Sequence, residues 1–180
     1  MHKTFDSNIH HRRSIRLKEY DYSEPGAYFI TICTKDRQCL FGGIKNRKMI
    51  FSELGKIVKN CWQEIPIHFD NVNLDLFIIM PNHLHGIIYM NDSICRGLIN
   101  QTPTEKWILQ KTPKLVLGKI IRSYKAYASR IAHKNGFHDF QWQRNYYEHI
   151  IRNDNELNRI REYIINNPFN WELDRNKFTL

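Results

Sequence analysis

No stretch of this sequence is apolar for long enough to cross a membrane. A membrane-spanning helix needs about 20 consecutive apolar residues, and no run here reaches that length. Residues 1–18 are polar and basic with no apolar segment behind them, so we expect no secretory signal. These absences predict a cytoplasmic protein that has no membrane partner.

Paired cysteines, internal repeats and low-complexity tracts are also missing. The four cysteines, Cys33, Cys39, Cys61 and Cys95, are scattered and contain no C-x-x-C pair. In a chain with no export signal, such cysteines are expected to be reduced thiols rather than a disulfide framework.

The composition does show a clear excess of positive charge. The chain has 180 residues, of which 42% are hydrophobic, enough for the core of one domain but not comfortably of two. We expect a basic N-terminal arm over residues 1–24 and one domain over 25–180. Lys and Arg number 27 against 18 Asp and Glu, a net charge of +9. That excess favours a polyanionic partner such as nucleic acid, although an ordinary basic protein would also show it.

The apolar patterns predict a mixed α+β fold. Strands are expected at residues 27–33, 48–51, 72–80, 83–90 and 147–151, and helices at 52–64, 112–135 and 153–167. Gly42-Gly43 indicates a turn, Thr112 followed by Pro113 a helix start, and 91–113 a long mobile loop. The apolar segment 72–80 is typical of a central strand. We expect an antiparallel β-sheet with flanking helices on one of its faces.

The segment Pro81-Asn82-His83-Leu84-His85 contains the sharpest local signal. Residues two apart on a strand point to the same face, so His83 and His85 present two imidazoles side by side while Leu84 points into the core. Neighbouring imidazoles can begin a divalent metal site. Two polar residues on a solvated sheet face would give the same pattern.

A second signal lies in the last predicted helix. Tyr163 and Asn167 are four residues apart, so they share one side of the helix, beside the apolar stripe of Leu157, Ile160 and Ile164. A tyrosine in that position is commonly a half-buried packing residue. The amide one turn later could instead offer a metal an oxygen ligand next to the phenol, provided that Asn167 is still helical just before Pro168.

Several ordered segments together resemble a known family. They are Pro25-Gly26-x-Tyr28-Phe29, Met80-Pro81-Asn82-His83-Leu84-His85, Trp142-Gln143-Arg144-Asn145-Tyr146-Tyr147-Glu148-His149-Ile150-Ile151-Arg152 and Tyr163-Ile164-x-Asn166-Asn167-Pro168. The chain resembles the IS200-like tyrosine transposases of the HUH superfamily, and within them the REP-associated branch. The resemblance extends from about residue 16 to residue 170, and several motifs in order are more specific than any one of them.

This resemblance implies a fold, a reaction and a set of site residues. The fold is a ferredoxin-like or RNA-recognition-like HUH fold. The reaction is cleavage and rejoining of single-stranded or hairpin DNA through a 5′-phosphotyrosine. Tyr163 matches the nucleophile, and His83, His85 and Asn167 match the ligands of a divalent metal, Mg²⁺ or Mn²⁺. The active form is expected to be a monomer or a homodimer.

Candidate DNA contacts follow from the basic residues. They are Arg12, Arg13 and Arg16 in the arm and Lys119, Arg122 and Lys125, which recur every third residue along one predicted helix. A solvated basic face is the alternative. Trp142 and Tyr146 could stack on unpaired bases or belong to the core, and His149 could be a general base or a structural histidine.

Three other functions remain open from the sequence. A hydrolase with a His-x-His-x-His site would need a third histidine where this chain has Ile87. A non-catalytic nucleic-acid-binding module explains the charge but not the histidines together with Tyr163. A domesticated relative that cuts and joins DNA without moving an element has the same sequence features as an active transposase.

Overall fold

Antiparallel strand pairing organises the molecule. The computed structural model describes residues 24–91 and 116–171. Its strands are β1 (Gly26–Cys33), β2 (Gly42–Lys45), β3 (Lys48–Phe51), β4 (Val72–Ile79), β5 (His83–Met90) and β6 (Tyr147–Ile151), and its helices are α1 (Glu53–Gln63), α2 (Ile65–His68), α3 (Leu117–Lys134) and α4 (Asp154–Asn166).

Four of the strands form one sheet in the order β4-β5-β1-β6, in which all neighbours are antiparallel. A helix follows β1 and another follows β5, so the chain order β1-α1-β4-β5-α3-β6 is that of a ferredoxin-like unit. The predicted α+β class and the antiparallel sheet with flanking helices are confirmed. β2 and β3 form a separate hairpin between β1 and α1.

The two faces of the sheet are covered by different helices. On the core face, Ile30, Ile32, Leu84 and Ile88 are fully buried in a cluster with apolar residues of α1 and α3. On the opposite face, which we call the site face, Phe29 and Ile87 pack with apolar residues of α4. The prediction that all helices lie on one face was therefore wrong, because α4 has an apolar stripe of its own that buries the second face.

Strand β4 is an edge strand of the described sheet, and its prediction as a central strand was wrong. It pairs only with β5 in that sheet. Its apolar run is explained by burial from both sides, since α1 and α2 contact it from one face and α4 from the other. A bulge between Leu74 and Phe77 interrupts the pairing. There Asp75 Oδ2 accepts hydrogen bonds from Arg161 of α4 at 2.6 and 2.9 Å, which ties the helix to the edge.

The predicted turn at Gly42-Gly43 was also wrong. Gly42 begins β2, and the hairpin turns instead at Asn46 and Arg47, whose positive φ values of 50° and 61° match the right-handed strand twist. Helix α3 begins at Leu117 after an extended Val116. The predicted start at Thr112, and most of the 91–113 loop, lie outside the described residues, as does the arm up to residue 23.

Helix α4 begins and ends as its sequence predicts. Asn153 accepts a hydrogen bond from the backbone N–H of Glu156, and the helix runs to Asn166. Asn167 keeps helical dihedral angles, φ −57° and ψ −43°, although a proline follows it. Its side chain therefore continues the face that carries Tyr163. None of the helices in the described part of the chain is long and apolar enough to cross a bilayer.

Candidate active site

The tight connection between β4 and β5 places the histidine pair on the site face. Met80 N–H donates to His83 O at 2.8 Å, which closes the turn through Pro81 and Asn82. His83 and His85 both have 0% exposure, and their ring centroids are 4.5 Å apart. The interpretation of this pair as residues of a solvated face was therefore wrong. Leu84 points into the core as predicted.

Asn82 determines which nitrogen of His83 carries the proton. Its amide nitrogen donates to the carbonyl of Arg37 at 2.9 Å, which orients the amide oxygen toward His83 Nδ1, 2.7 Å away. Because an amide oxygen only accepts, Nδ1 must hold the hydrogen, and in the neutral imidazole Nε2 then presents a lone pair. This is the tautomer that a metal-binding histidine adopts when a neighbour accepts its other N–H.

His85 is held between a threonine and the tyrosine of α4. Its Nδ1 lies 2.8 Å from Thr31 Oγ1, and its Nε2 lies 3.2 Å from Tyr163 Oη. Thr31 is opposite His85 in the β1–β5 register, which explains the contact. When His85 Nδ1–H donates to the threonine hydroxyl, Nε2 accepts the phenolic hydrogen. The structure thus brings Tyr163 to the histidine pair across 78 residues of sequence.

Phe29 supports both rings of this contact. It stacks on His85 with centroids 5.3 Å apart and meets the Tyr163 ring edge-on at 6.1 Å. Tyr163 remains 41% exposed. Its hydroxyl is therefore positioned against a buried histidine while one side of its ring stays open to solvent, an arrangement that a large ligand could reach.

Asn167 lies along α4 between two residues that touch the histidines. One turn before it, Tyr163 contacts His85, and one turn after it Trp171 stacks on His83 at 6.1 Å. The Asn167 side chain is buried, and its Oδ1 accepts no hydrogen bond from any residue in the described ranges. A buried amide oxygen of this kind costs free energy unless something else is bound there.

The donor set fits a divalent cation. Among the described residues, no three His, Cys, Asp or Glu side chains gather as a metal site. The candidate set is instead two imidazoles and an amide oxygen, next to the Tyr163 phenol. His83 offers Nε2 because Asn82 occupies Nδ1, and the oxygen of Asn167 is buried and unsatisfied in the described structure. Imidazole nitrogens suit transition-metal ions and carbonyl-type oxygens suit Mg²⁺ and Mn²⁺, so this donor set does not select one ion by itself.

Of the predicted DNA contacts, the three that the structure describes do not lie at the histidine pair. Arg12, Arg13 and Arg16 lie outside the described residues. Lys119 and Arg122 are exposed on α3, which covers the other face of the sheet. Lys125 donates to the carbonyls of Gln143, Arg144 and Asn145 at 2.5, 3.3 and 3.5 Å, and burial lowers its pKa. DNA binding by these residues stays a prediction.

Three further residues have structural contacts. His149 Nε2 lies 2.7 Å from Glu156 Oε1, which favours the structural interpretation of this histidine. Trp142 packs on Phe41 and Phe140 at 5.5 and 5.0 Å. Tyr146 packs against the same core cluster.

Sequence reasoning missed the residues that hold the histidines. Asn82 and Phe29 appeared in the sequence only as members of the motifs that carry the resemblance, and Thr31 only as a residue of a predicted strand. Their alternation could have placed Thr31 and Phe29 on one face of β1, but the register that brings Thr31 opposite His85 is a tertiary property. No local signal pointed to Trp171.

Comparison with known proteins gives a relative of similar sequence and a solved structure of similar fold. The chain is 47% identical over 174 residues to a protein of Haemophilus influenzae described only as uncharacterized, covering 95% of this chain and 96% of that one. Its fold is similar to the solved structure of a REP-associated tyrosine transposase bound to a REP hairpin, with a TM-score of 0.58 and 16% identity over 91% of this chain and 77% of that chain. At this identity the likeness shows the fold alone. No protein-family model matches the chain.

Proposed function

We propose that this chain, which belongs to the same family as the Haemophilus influenzae protein, cleaves and rejoins single-stranded or hairpin DNA with Tyr163 as nucleophile. The observation that carries this proposal is the contact of Tyr163 Oη with His85 Nε2 at 3.2 Å, beside His83 and one turn before the buried amide of Asn167. The similar fold of a REP-associated tyrosine transposase supports it.

The proposed metal ligands are His83, His85 and Asn167, with Mg²⁺ or Mn²⁺ as the ion. When bound, such an ion supplies charge that stabilises a phosphate in the transition state and favours the phenolate. Asn82 and Thr31 hold the two imidazoles in place through their Nδ1 atoms. Phe29 and Trp171 cover the rings and keep water from them. These residues bind and orient, while Tyr163 carries out the covalent step.

The step itself is an exchange of one phosphate ester for another. Tyr163 Oη attacks the phosphorus, an Oη–P bond forms, and the bond from phosphorus to the 3′ oxygen breaks. The phenolic proton is lost and the departing 3′ oxygen gains one, so the products are a 5′-phosphotyrosine and a 3′-hydroxyl. Since the ester bond is conserved, a second 3′-hydroxyl can reverse the step without a nucleotide cofactor.

The contact with His85 also restricts the Tyr163 hydroxyl. A hydroxyl that donates to His85 Nε2 uses the lone pair that a metal would need. The hydrogen bond from Tyr163 and a metal bond to the same nitrogen therefore exclude each other. His85 Nε2 would be able to hold the ion only once the phenol had moved away, and the Tyr163 hydroxyl would then be available to the phosphate.

Covalent capture of DNA tests the proposal. The purified protein is incubated with end-labelled hairpin oligonucleotides that have single-stranded flanks, with Mn²⁺ or with EDTA, and analysed on a denaturing gel. We expect a Mn²⁺-dependent protein–DNA band that Tyr163→Phe abolishes and Tyr127→Phe, on α3, retains. Tight binding with no band from any oligonucleotide would contradict the proposal and would favour a non-catalytic or domesticated nucleic-acid-binding protein.

A further inference from the structure

Two adjoining cavities lie beside the histidine pair, between the turn Lys35–Arg37 and residues 141–147. The larger has a volume of about 610 Å³, and its walls include Lys35, Arg37 and Arg144. The smaller, about 240 Å³, is lined in part by Thr31, Cys33 and Tyr147. Both share Arg37, so we treat them as one surface, the basic groove. The larger volume is within the range of roughly 300–1,000 Å³ that is common for ligand sites.

The smaller cavity is bordered by two residues that neighbour the histidines. Thr31, in its wall, lies 2.8 Å from His85 Nδ1, and Cys33 is opposite His83 in the strand register. A ligand that fills this cavity is therefore next to the residues that hold the candidate metal ligands. The groove leads from there past Arg37 to Arg144.

The turn that carries Arg37 is held in an uncommon conformation. Asp36 and Arg37 both have positive φ values, 53° and 54°. Such residues cost about 1–3 kcal/mol each and persist where surrounding contacts hold them, commonly at ligand sites. Here Asn82 donates to Arg37 O at 2.9 Å and Lys35 N–H donates to Gln141 O at 2.9 Å. The amide that orients His83 thus also positions the arginine of the groove.

The opposite wall is held by Lys125. Its ammonium group lies among the carbonyls of residues 143–145 and leaves the exposed Arg144 side chain to the groove. Lys125 thus holds the backbone of residues 143–145 in place and is not itself a wall residue of the larger cavity.

The charge and the aromatic residues of the groove indicate its ligand. The larger cavity is lined by three cationic side chains, Lys35, Arg37 and Arg144, and one carboxylate, Asp36. Tyr147, which is 41% exposed, lines the smaller cavity together with Arg37. Cations that track phosphates next to an aromatic ring are typical of single-strand binding.

We propose that the basic groove binds the backbone phosphates of unpaired nucleotides next to the cleaved bond, with Arg37 and Arg144 as the phosphate contacts. This inference rests on the proposed function, which it extends by assigning a strand-binding site that includes none of the predicted DNA-contact residues.

Salt dependence of binding tests the groove. A fluorescein-labelled hairpin oligonucleotide with unpaired flanks is titrated with wild type, Arg37→Gln, Arg144→Gln, the double variant and Lys134→Gln, at several KCl concentrations. Each lost phosphate contact should reduce the slope of log K against log salt by about 0.7 for single strands, so about 1.4 for the double variant. Lys134→Gln, exposed at the end of α3, removes the same charge outside the groove and should keep the wild-type slope apart from a small general effect.

A phosphate scan gives the position of the contact. Single methylphosphonates, which are neutral, replace one phosphate at a time in the flank. Wild type should lose affinity at one or two positions beside the cleaved bond. Arg37→Gln should show no further loss at the position that Arg37 contacts, whereas Arg37→Lys should retain part of the effect. Thermal unfolding of each variant checks that the fold is kept.

The outcomes separate the two proposals. If the groove variants have the same slope of log K against log salt as Lys134→Gln while the Tyr163-dependent adduct forms, the proposed phosphate binding by the groove is contradicted and the proposed reaction stands. If the slope falls as expected but no adduct forms, phosphate binding by the groove is supported and the proposed DNA cleavage by Tyr163 is contradicted. Wild type that does not bind the oligonucleotide at all overturns the groove.

Discussion

The two faces of the sheet use the same strands for opposite purposes. On the core face, residues such as Ile30, Leu84 and Ile88 are fully buried in an apolar cluster under α1 and α3. On the site face, Thr31, His83 and His85 are equally buried under α4 and the segment that follows it. Burying polar side chains is costly unless each finds a partner. The core face therefore stabilises the fold, whereas the site face keeps buried polar side chains whose presence stability alone does not explain.

The largest expected effect on stability lies at Leu84, between the two histidines. Leu84→Ala leaves a cavity in the core face and should lower the free energy of unfolding by about 2–5 kcal/mol. Tyr163→Phe, on the other face, should lower it by only about 1 kcal/mol, because this change keeps the ring and removes one hydrogen bond, to His85. Urea unfolding followed by circular dichroism measures both. Equal losses would contradict the division between the faces.

Gly86 should be nearly as sensitive, for reasons of space. A Cβ built on Gly86 would lie 2.5 Å from Cζ2 of Trp62, which packs on the strand from α1. Gly86→Ala should therefore cost about 1–3 kcal/mol through overpacking. Gly43→Ala is the matched control, since a Cβ there meets nothing within 4 Å. Thermal unfolding of the two variants checks this, and a neutral Gly86→Ala would show that the indole can move aside.

Replacing Asn82 should weaken metal binding, because its side chain orients His83 and contacts the turn at Arg37. Asn82→Ala removes the acceptor of His83 Nδ1–H and the donor to Arg37 O. Loss of such a partner commonly weakens metal binding by about 10–100-fold. Isothermal titration with Mn²⁺ measures the effect, with Asn73→Ala, exposed on β4, as control. Unchanged affinity in Asn82→Ala would mean that His83 does not need this tautomer to bind.

Removing the Tyr163 hydroxyl should strengthen Mn²⁺ binding slightly. In wild type the hydrogen bond to His85 Nε2 must break first, and such a bond is worth about 1 kcal/mol, or roughly 5-fold in affinity. Tyr163→Phe should gain up to that factor, while Tyr127→Phe should not. The same titration tests both variants. Weaker binding in Tyr163→Phe would instead identify the phenol as a ligand of the ion.

The smallest expected effect is the pH dependence contributed by Glu156. The pKa of Glu156 is lowered, first by the backbone N–H of Arg152 and then by His149. A lowered folded-state pKa adds stability above the unfolded value, about 4.3, and that stability is lost as the pH falls through the folded value. Wild type should exceed Glu156→Gln slightly in Tm near pH 6, and the two should converge on acidification. Glu162→Gln, exposed on the same helix, should follow wild type; a gap that persists at low pH would contradict the assignment.

Much of the fold could be predicted because its signals are local. Alternation in β1, the apolar run of β4 and the Asn153 cap of α4 act over a few residues, and each element appeared where expected. The side of the sheet that α4 covers could not be predicted, because an apolar stripe can pack on either face. For the same reason β4 was taken for a central strand, when helices on both sides account for its apolar residues.

The sequence by itself determined that His83 and His85 share a face and that Tyr163 and Asn167 share another, since strand and helix periods are set by the backbone. Only the tertiary structure decided that these two faces meet, that the histidines are buried, and that Asn82 selects the His83 tautomer. It also brought Lys35 to Gln141, 106 residues away, to form the groove. Contacts between distant segments depend on how whole elements pack, and no short stretch of sequence contains that information.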